Sequence, residues 1–291
     1  MHRRWPWSLL LVPLCATLEC AAAGPDVVTV RHGAVELHGL LFYPSTPKRA
    51  PGILFNHGRG CVPQPQCDDR EPKIRRLGLS FSERGYVFLA LFRRGEGLSS
   101  RAGRAAGELL RDEERARGAD AANALQVRLL ETDQLHDAVA GLEYLRSLDR
   151  VDPERVGVVG HSYGGAVSLL LAESRRLRAV VAFGAAAQSW KHSADLRARL
   201  TSAAERVRSP VLFVYAANDY SVEPGISLSG VIRRSGGTCE LSIQPANGMT
   251  ADEGHALVYS ETPSWSRTVF DFLATHLEGA AQPMPTTRAT R

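Results

Sequence analysis

Gly160-His161-Ser162-Tyr163-Gly164 stands between the apolar run at residues 155–160 (RVGVVG) and a second apolar stretch at 166–173 (AVSLLLAE). The first reads as a buried strand and the second as a helix. A serine between them sits in a tight strand-to-helix turn that lifts its hydroxyl above the sheet. Side chains at positions 160 and 164 would collide with neighbouring backbone in so sharp a turn, which accounts for the two glycines. The helix start behind Ser162 aims unpaired backbone N–H groups and a positive dipole end at developing negative charge. Two phosphate-binding readings fail on spacing. Gly157-Val158-Val159-Gly160 lacks the G-x-G-x-x-G arrangement, and Gly164-Gly165-Ala166 offers no lysine.

Outward from this turn, strands alternate with helical segments. Residues 27–30 (VVTV) and 35–44 (VELHGLLFYP), joined at His32-Gly33, read as an antiparallel pair at a sheet edge. Residues 52–55, 86–92, 179–184, 211–216 and 239–244 (CELSIQ) read as buried strands. A helix is expected near 74–84. Another spans 132–148, where Leu135, Val139, Leu142 and Leu145 share one face, and the last holds Val269, Phe270, Phe272 and Leu273. This order predicts one α/β domain over residues 24–278, with a mostly parallel sheet and helices on both faces. Residues 101–120 carry five basic and five acidic side chains among Ala and Gly. They read as a solvated helix face or a flexible cover, and 101–131 as a small helical cap over the site. The tail 279–291 is expected to be unstructured.

With 291 residues, 44% of them apolar, and 35 basic against 31 acidic groups, the chain is neither disordered nor fibrous. A net charge of +4 spread along the sequence gives no nucleic-acid footprint. Residues 1–23 join Arg3 and Arg4 to an apolar stretch and then Ala21-Ala22-Ala23, the layout of a cleavable signal peptide. The apolar part is short for a bilayer span, so stable membrane insertion is not expected; an uncleaved anchor is the alternative. Glu19 before Cys20 disfavours lipid attachment. The mature chain is expected to begin near Gly24 in a secreted or periplasmic setting. There Cys61 and Cys67, enclosing VPQPQ, are expected to form a disulfide, the alternative being two unpaired thiols; Cys239 reads as a buried thiol on a strand. No third and fourth ligand stand near the pair to make a zinc site.

A serine hydroxyl needs a neutral imidazole to take its proton. His161 adjoins Ser162 and should point away from it, His136 lies in a helix, and His276 lies near the tail. His255 lies in a loop between the last strand and the last helix, where a base belongs if the chain order is Ser, acid, His. A surface loop histidine is the plain alternative. Asp219, at the carboxyl end of residues 211–216, is the candidate acid, with Glu223 in reserve; Asp252 and Glu253 read as solvated. The Tyr163 backbone N–H and that of Arg59, in the turn His57-Gly58-Arg59-Gly60, are the candidate oxyanion donors, Gly60 being second choice. A Cys61–Cys67 bridge would brace that turn. His57 reads as a loop-packing residue.

Together these residues resemble the α/β-hydrolase superfamily over residues 27–277. Gly160-His161-Ser162-Tyr163-Gly164-Gly165, Val151-Asp152-Pro153-Glu154-Arg155-Val156 and Gly254-His255 look like its dienelactone hydrolase and prolyl-oligopeptidase branches. Arg94-Gly95-Glu96-Gly97-Leu98-Ser99 resembles the R-G-x-G-x-S turn of that group. The resemblance implies Ser162 as nucleophile, Asp219 as acid and His255 as base. Dienelactone hydrolases carry a cysteine nucleophile, so lactone specificity is not inherited. Prolyl-oligopeptidase relatives carry a large propeller domain, for which this length leaves no room. The expected activity is therefore that of a serine carboxylesterase on small-molecule esters, needing no cofactor or metal and rising with pH through the histidine range. A peptidase acting on short peptides and a non-catalytic binding protein are the alternatives. Amide preference would mark the first, and silence towards both substrate types the second.

Overall fold

The computed structural model describes residues 24–46, 48–60, 70–260 and 263–278. The signal segment, Cys61, Cys67 and the tail 279–291 lie outside the described residues. Eight strands make one sheet: β1 (Asp26–His32), β2 (Val35–Phe42), β3 (Ala50–Asn56), β4 (Val87–Leu91), β5 (Val151–His161), β6 (Val180–Phe183), β7 (Val211–Ala216) and β8 (Cys239–Gln244). Their spatial order is β1-β2-β4-β3-β5-β6-β7-β8. The β1–β2 and β2–β4 pairs are antiparallel and every other neighbour is parallel, so this is an α/β fold with a mostly parallel sheet.

Strand side chains alternate between two cores, as the two-residue pleat requires. Val156 and Val158, Val180 and Ala182, and Phe213 and Tyr215 enter one core. Val159, Val181, Phe183, Leu212 and Val214 enter the other. Helices α1 (Arg70–Ser82) and α9 (Pro263–Leu273) cover the second face. Helices α2 (Ala106–Arg117), α3 (Ala119–Glu131), α4 (Asp133–Ser147), α5 (Tyr163–Ser174), α6 (Ala194–Arg206) and α7 (Glu223–Arg234) contribute to the first. Helix α5 is buried almost all round, between the sheet and α3, α4 and α6, which is why its sequence is apolar without a polar stripe.

One expectation changes in detail. Residues 239–244 form the outer strand of the sheet, with Glu240 and Ile243 exposed; only Cys239 and Gln244 are buried. The run alternates polar with apolar residues, which is the pattern of an edge rather than of a central strand. Of the two readings of residues 101–120 the helical one is what the structure shows: α2 and α3 form a helical pair broken at Gly118. Their charges are paired on the outer face, Arg104 and Arg115 with Asp112 and Arg117 with Glu113.

Candidate active site

Strand β5 ends at His161 and α5 begins at Tyr163, leaving Ser162 alone in the turn with φ 55° and ψ −117°. A β-carbon added at Gly164 would lie 2.0 Å from the Asn56 carbonyl oxygen, and one at Gly160 would lie 2.4 Å from that of Gly164. Contacts that close leave no space for a side chain, so the glycines permit the left-handed serine. The Ser162 N–H donates to Phe183 O at 2.8 Å, tying the turn to β6.

Asp219 follows β7 on the same rim as Ser162, and its side chain is 1% exposed. His255 is the last residue of the short helix α8 (Ala251–His255), not a residue of an open loop. A capping box between Thr250 and Glu253 starts that helix, so Glu253 is structural rather than simply solvated. Asp252 likewise has a partner, the Tyr220 hydroxyl. Asn218 clamps this segment. Its side-chain amide donates to the carbonyls of Asn247 at 3.1 Å and Thr250 at 2.9 Å, and its oxygen accepts the Asn247 N–H at 2.9 Å. The residue before the acid therefore fixes the segment that carries the imidazole.

The outcome is a continuous relay. Ser162 Oγ lies 2.8 Å from His255 Nε2, and His255 Nδ1 lies 2.8 Å from Asp219 Oδ1. Carboxylate oxygens only accept, so Nδ1 carries the hydrogen and Nε2 presents its lone pair to the serine hydroxyl. Asp219 Oδ1 also accepts the Tyr220 N–H at 2.7 Å. Gly184, with φ +52°, leaves the room this pair needs: a β-carbon there would lie 2.9 Å from Asp219 Oδ2 and 3.0 Å from His255 Nδ1. Glu223, the reserve acid, starts α7 and takes no part in the relay.

Behind the turn that follows β3 lies a buried polar network. His57, Arg93 and Glu96 are almost wholly inaccessible, and Arg70 is nearly so. The Gly58 carbonyl accepts from Arg70 at 2.8 Å and from His57 Nδ1 at 2.7 Å, while His57 Nε2 accepts the Arg93 N–H at 3.2 Å. Burial, with Arg93 and Arg70 adding to it, holds the His57 pKa well below its usual value, so the ring is neutral. In a trans peptide the carbonyl and the following N–H point in opposite directions. Drawing the Gly58 oxygen into the network therefore turns the Arg59 N–H away from it. The Gly60 N–H is taken by Glu96 Oε2 at 3.1 Å, which removes Gly60 as a donor to substrate. The Tyr163 N–H opens α5 and has no acceptor among the described residues.

Ser162, His255, Arg59 and Tyr163 line a cavity of about 360 Å³. Its far wall includes Gln126 of α3, whose amide reaches the Ser189 hydroxyl at 3.4 Å. His161 points away from the serine, as its place in the turn requires. Its Nε2–H donates to the His255 carbonyl at 2.8 Å, and burial is the chief reason its pKa falls to about 3. Among the described residues no group of three or more His, Cys, Asp or Glu side chains stands where it could hold a metal ion.

The signals that reasoning from sequence missed are Asn218, Gly184 and the Arg70–Arg93–Glu96 network. None has a periodic or motif signature beyond the R-G-x-G-x-S likeness, in which Arg94 instead grips Asp137 at 2.6 Å.

Comparison with known proteins agrees with this architecture. The model of the dienelactone hydrolase family matches residues 37–276, and the chain belongs to that family. Its architecture is the α/β-hydrolase fold. Among solved structures, acylaminoacyl peptidase from Pyrococcus horikoshii superposes with a TM-score of 0.63 at 16% identity, over 91% of this chain and 43% of that protein. Est1E from Butyrivibrio proteoclasticus gives 0.59 at 17% identity, over 88% of this chain and all (100%) of the other. A dienelactone hydrolase from Anabaena variabilis gives 0.56 at 19% identity, with the same coverage of 88% and 100%. This chain thus spans less than half of the peptidase. Among curated proteins no match is found.

Proposed function

We propose that this protein is an exported serine esterase that cleaves small-molecule carboxylic esters through an acyl-enzyme on Ser162. The observation that carries the reading is the relay Ser162–His255–Asp219, with 2.8 Å at each step, opening on a cavity. Family membership supports ester chemistry, since a lactone is an internal ester. The basic, apolar and small-residue sections of residues 1–23 support export.

In this mechanism His255 Nε2 takes the Ser162 proton as Oγ attacks the ester carbonyl carbon. The carbonyl π bond opens and negative charge forms on its oxygen, where the N–H groups of Tyr163 and Arg59 donate. The α5 N-terminus and the buried cations behind Gly58 add positive potential. Asp219 accepts the Nδ1–H, which keeps the lone pair on Nε2 and stabilises the imidazolium. The intermediate collapses, the alkoxide takes the proton from Nε2, and the alcohol leaves. Water then repeats the sequence on the acyl-enzyme and releases the acid. Helices α2 and α3 act as a cap, with Gln126 bounding the acyl side of the cavity.

The test compares the mature chain with Ser162→Ala on p-nitrophenyl esters and aminoacyl p-nitroanilides. Ester turnover should fall by about three orders of magnitude or more in the variant. Faster turnover of anilides than of matched esters would replace the esterase reading with a peptidase one. Turnover that survives the substitution would end both.

A further inference from the structure

Away from the catalytic rim, a groove carries charge that the reaction does not use. Strands β5 to β8 run parallel, so their carboxyl ends present Ser162 and Asp219 while the amino ends of β6, β7 and β8 lie at the opposite edge. There a groove of about 900 Å³ opens between the segment linking α5 to β6, the turn before β7 and the helical turn at 274–278. Arg175, Arg176, Arg178, Arg206 and Arg208 stand in its walls.

Elsewhere some arginines reach only neutral oxygens, as Arg146 and Arg150 do, and others meet acids. Arg31 meets Glu36, Arg75 meets Glu71, Arg94 meets Asp137 and Arg104 meets Asp112. In the groove only Arg206 has an acidic partner, Glu173, which Arg199 shares. Among the described residues Arg175 reaches only the Ser174 carbonyl, and Arg208 only those of Glu205 and Val207. Arg178 has a buried Nε with no acceptor, a costly state for a donor. His276 shares the wall; burial chiefly holds its pKa down, Glu240 opposing and Arg178 adding to the shift. Glu173 also lines the groove and is taken up by Arg199 and Arg206, so Arg175, Arg176, Arg178 and Arg208 leave an excess of positive charge around one concavity.

We propose that this groove binds a compact polyanion bearing two or more phosphate groups. The planar forks of Arg175, Arg176, Arg178 and Arg208 suit phosphate oxygens, which accept two parallel N–H bonds from one guanidinium. A volume of about 900 Å³ suits a small ligand rather than a long strand. The occupant is not the ester, because the groove lies at the other edge of the sheet. The proposal stands whether or not Ser162 is the nucleophile.

Phosphate groups reach such a site free in solution or on a lipid headgroup, and two probes separate these sources. Tripolyphosphate is titrated into the full chain by calorimetry at low and high salt, and binding to vesicles of cardiolipin, whose headgroup carries two phosphates, is followed by sedimentation. One-to-one tripolyphosphate binding is expected, weakening with salt. The double variant Arg175→Gln, Arg178→Gln should lose about tenfold or more in affinity while its ester turnover stays unchanged. Vesicle binding alone, lost in the same variant, would keep the groove and assign the headgroup as source. If that variant melts early, Arg176→Gln with Arg208→Gln, at exposed positions, gives the same comparison. Failure of both probes to bind, or equal binding by wild type and variants, would overturn the proposal.

Discussion

Two residues that take no part in proton transfer decide whether the relay can form. Asn218 holds the carbonyls of Asn247 and Thr250, so the acid and the base descend from segments tied to each other before any substrate arrives. Gly184 supplies the space beside that pair, where even one methyl group would stand 2.9 Å from Asp219 Oδ2. Gly184→Ala should therefore displace Asp219 from His255 and lower kcat by about a hundredfold. Its cost in stability should be modest, about 1 kcal/mol for a left-handed alanine. Steady-state kinetics beside a thermal melt checks this. A variant with full kcat would mean that the pair tolerates the intrusion and that Gly184 serves only the turn.

At the scale of elements, the helical pair α2–α3 is placed by contacts outside its own sequence. Asn123 donates to the His192 carbonyl at 3.0 Å, and Arg199 of α6 pairs with Glu131. Gln126 thereby becomes a wall of the cavity beside Ser162. Gln126→Ala should enlarge the acyl side, so the preferred p-nitrophenyl ester shifts to a longer chain while turnover of the acetate changes little. An unchanged chain-length profile would remove α3 from the account of specificity. The sequence made Ser162, Asp219 and His255 legible because the first two follow strands directly and the third comes after the last strand, in a fixed chain order. It also showed the alternation of strands and helices, since apolar runs are what buried parallel strands require. The Arg70–Arg93–Glu96 network was not legible, because arginines and a glutamate in loops read as solvated until a fold closes over them. The helix carrying His255 was missed because five residues are too few to show a period. The edge position of β8 follows from strand order, which only long-range pairing sets.

Over the whole molecule, the same burial that keeps the site ready makes its stability depend on pH. His161 has its pKa lowered from 6.5 to about 3, and His57 shifts in the same direction. Between those values the unfolded chain takes up protons that the folded one refuses. The stabilisation is thus complete above 6.5 and is lost as pH falls towards 3. His161 contributes a slope of about 1.4 kcal/mol per pH unit in that window, and His57 adds in the same direction. Urea unfolding followed down to about pH 4 should show stability falling with acid, and less steeply in His161→Gln by roughly that amount. Equal slopes would place the acid sensitivity elsewhere. The proposed reaction rests on one covalent bond, between Ser162 Oγ and an acyl carbon. The most direct measurement is mass spectrometry of the intact chain and its peptides after brief mixing with a slowly deacylating p-nitrophenyl ester. The acyl group should appear on the peptide carrying Ser162 and be absent from Ser162→Ala. An acyl group on another residue, or rapid ester turnover with Ser162 never modified, would contradict the mechanism.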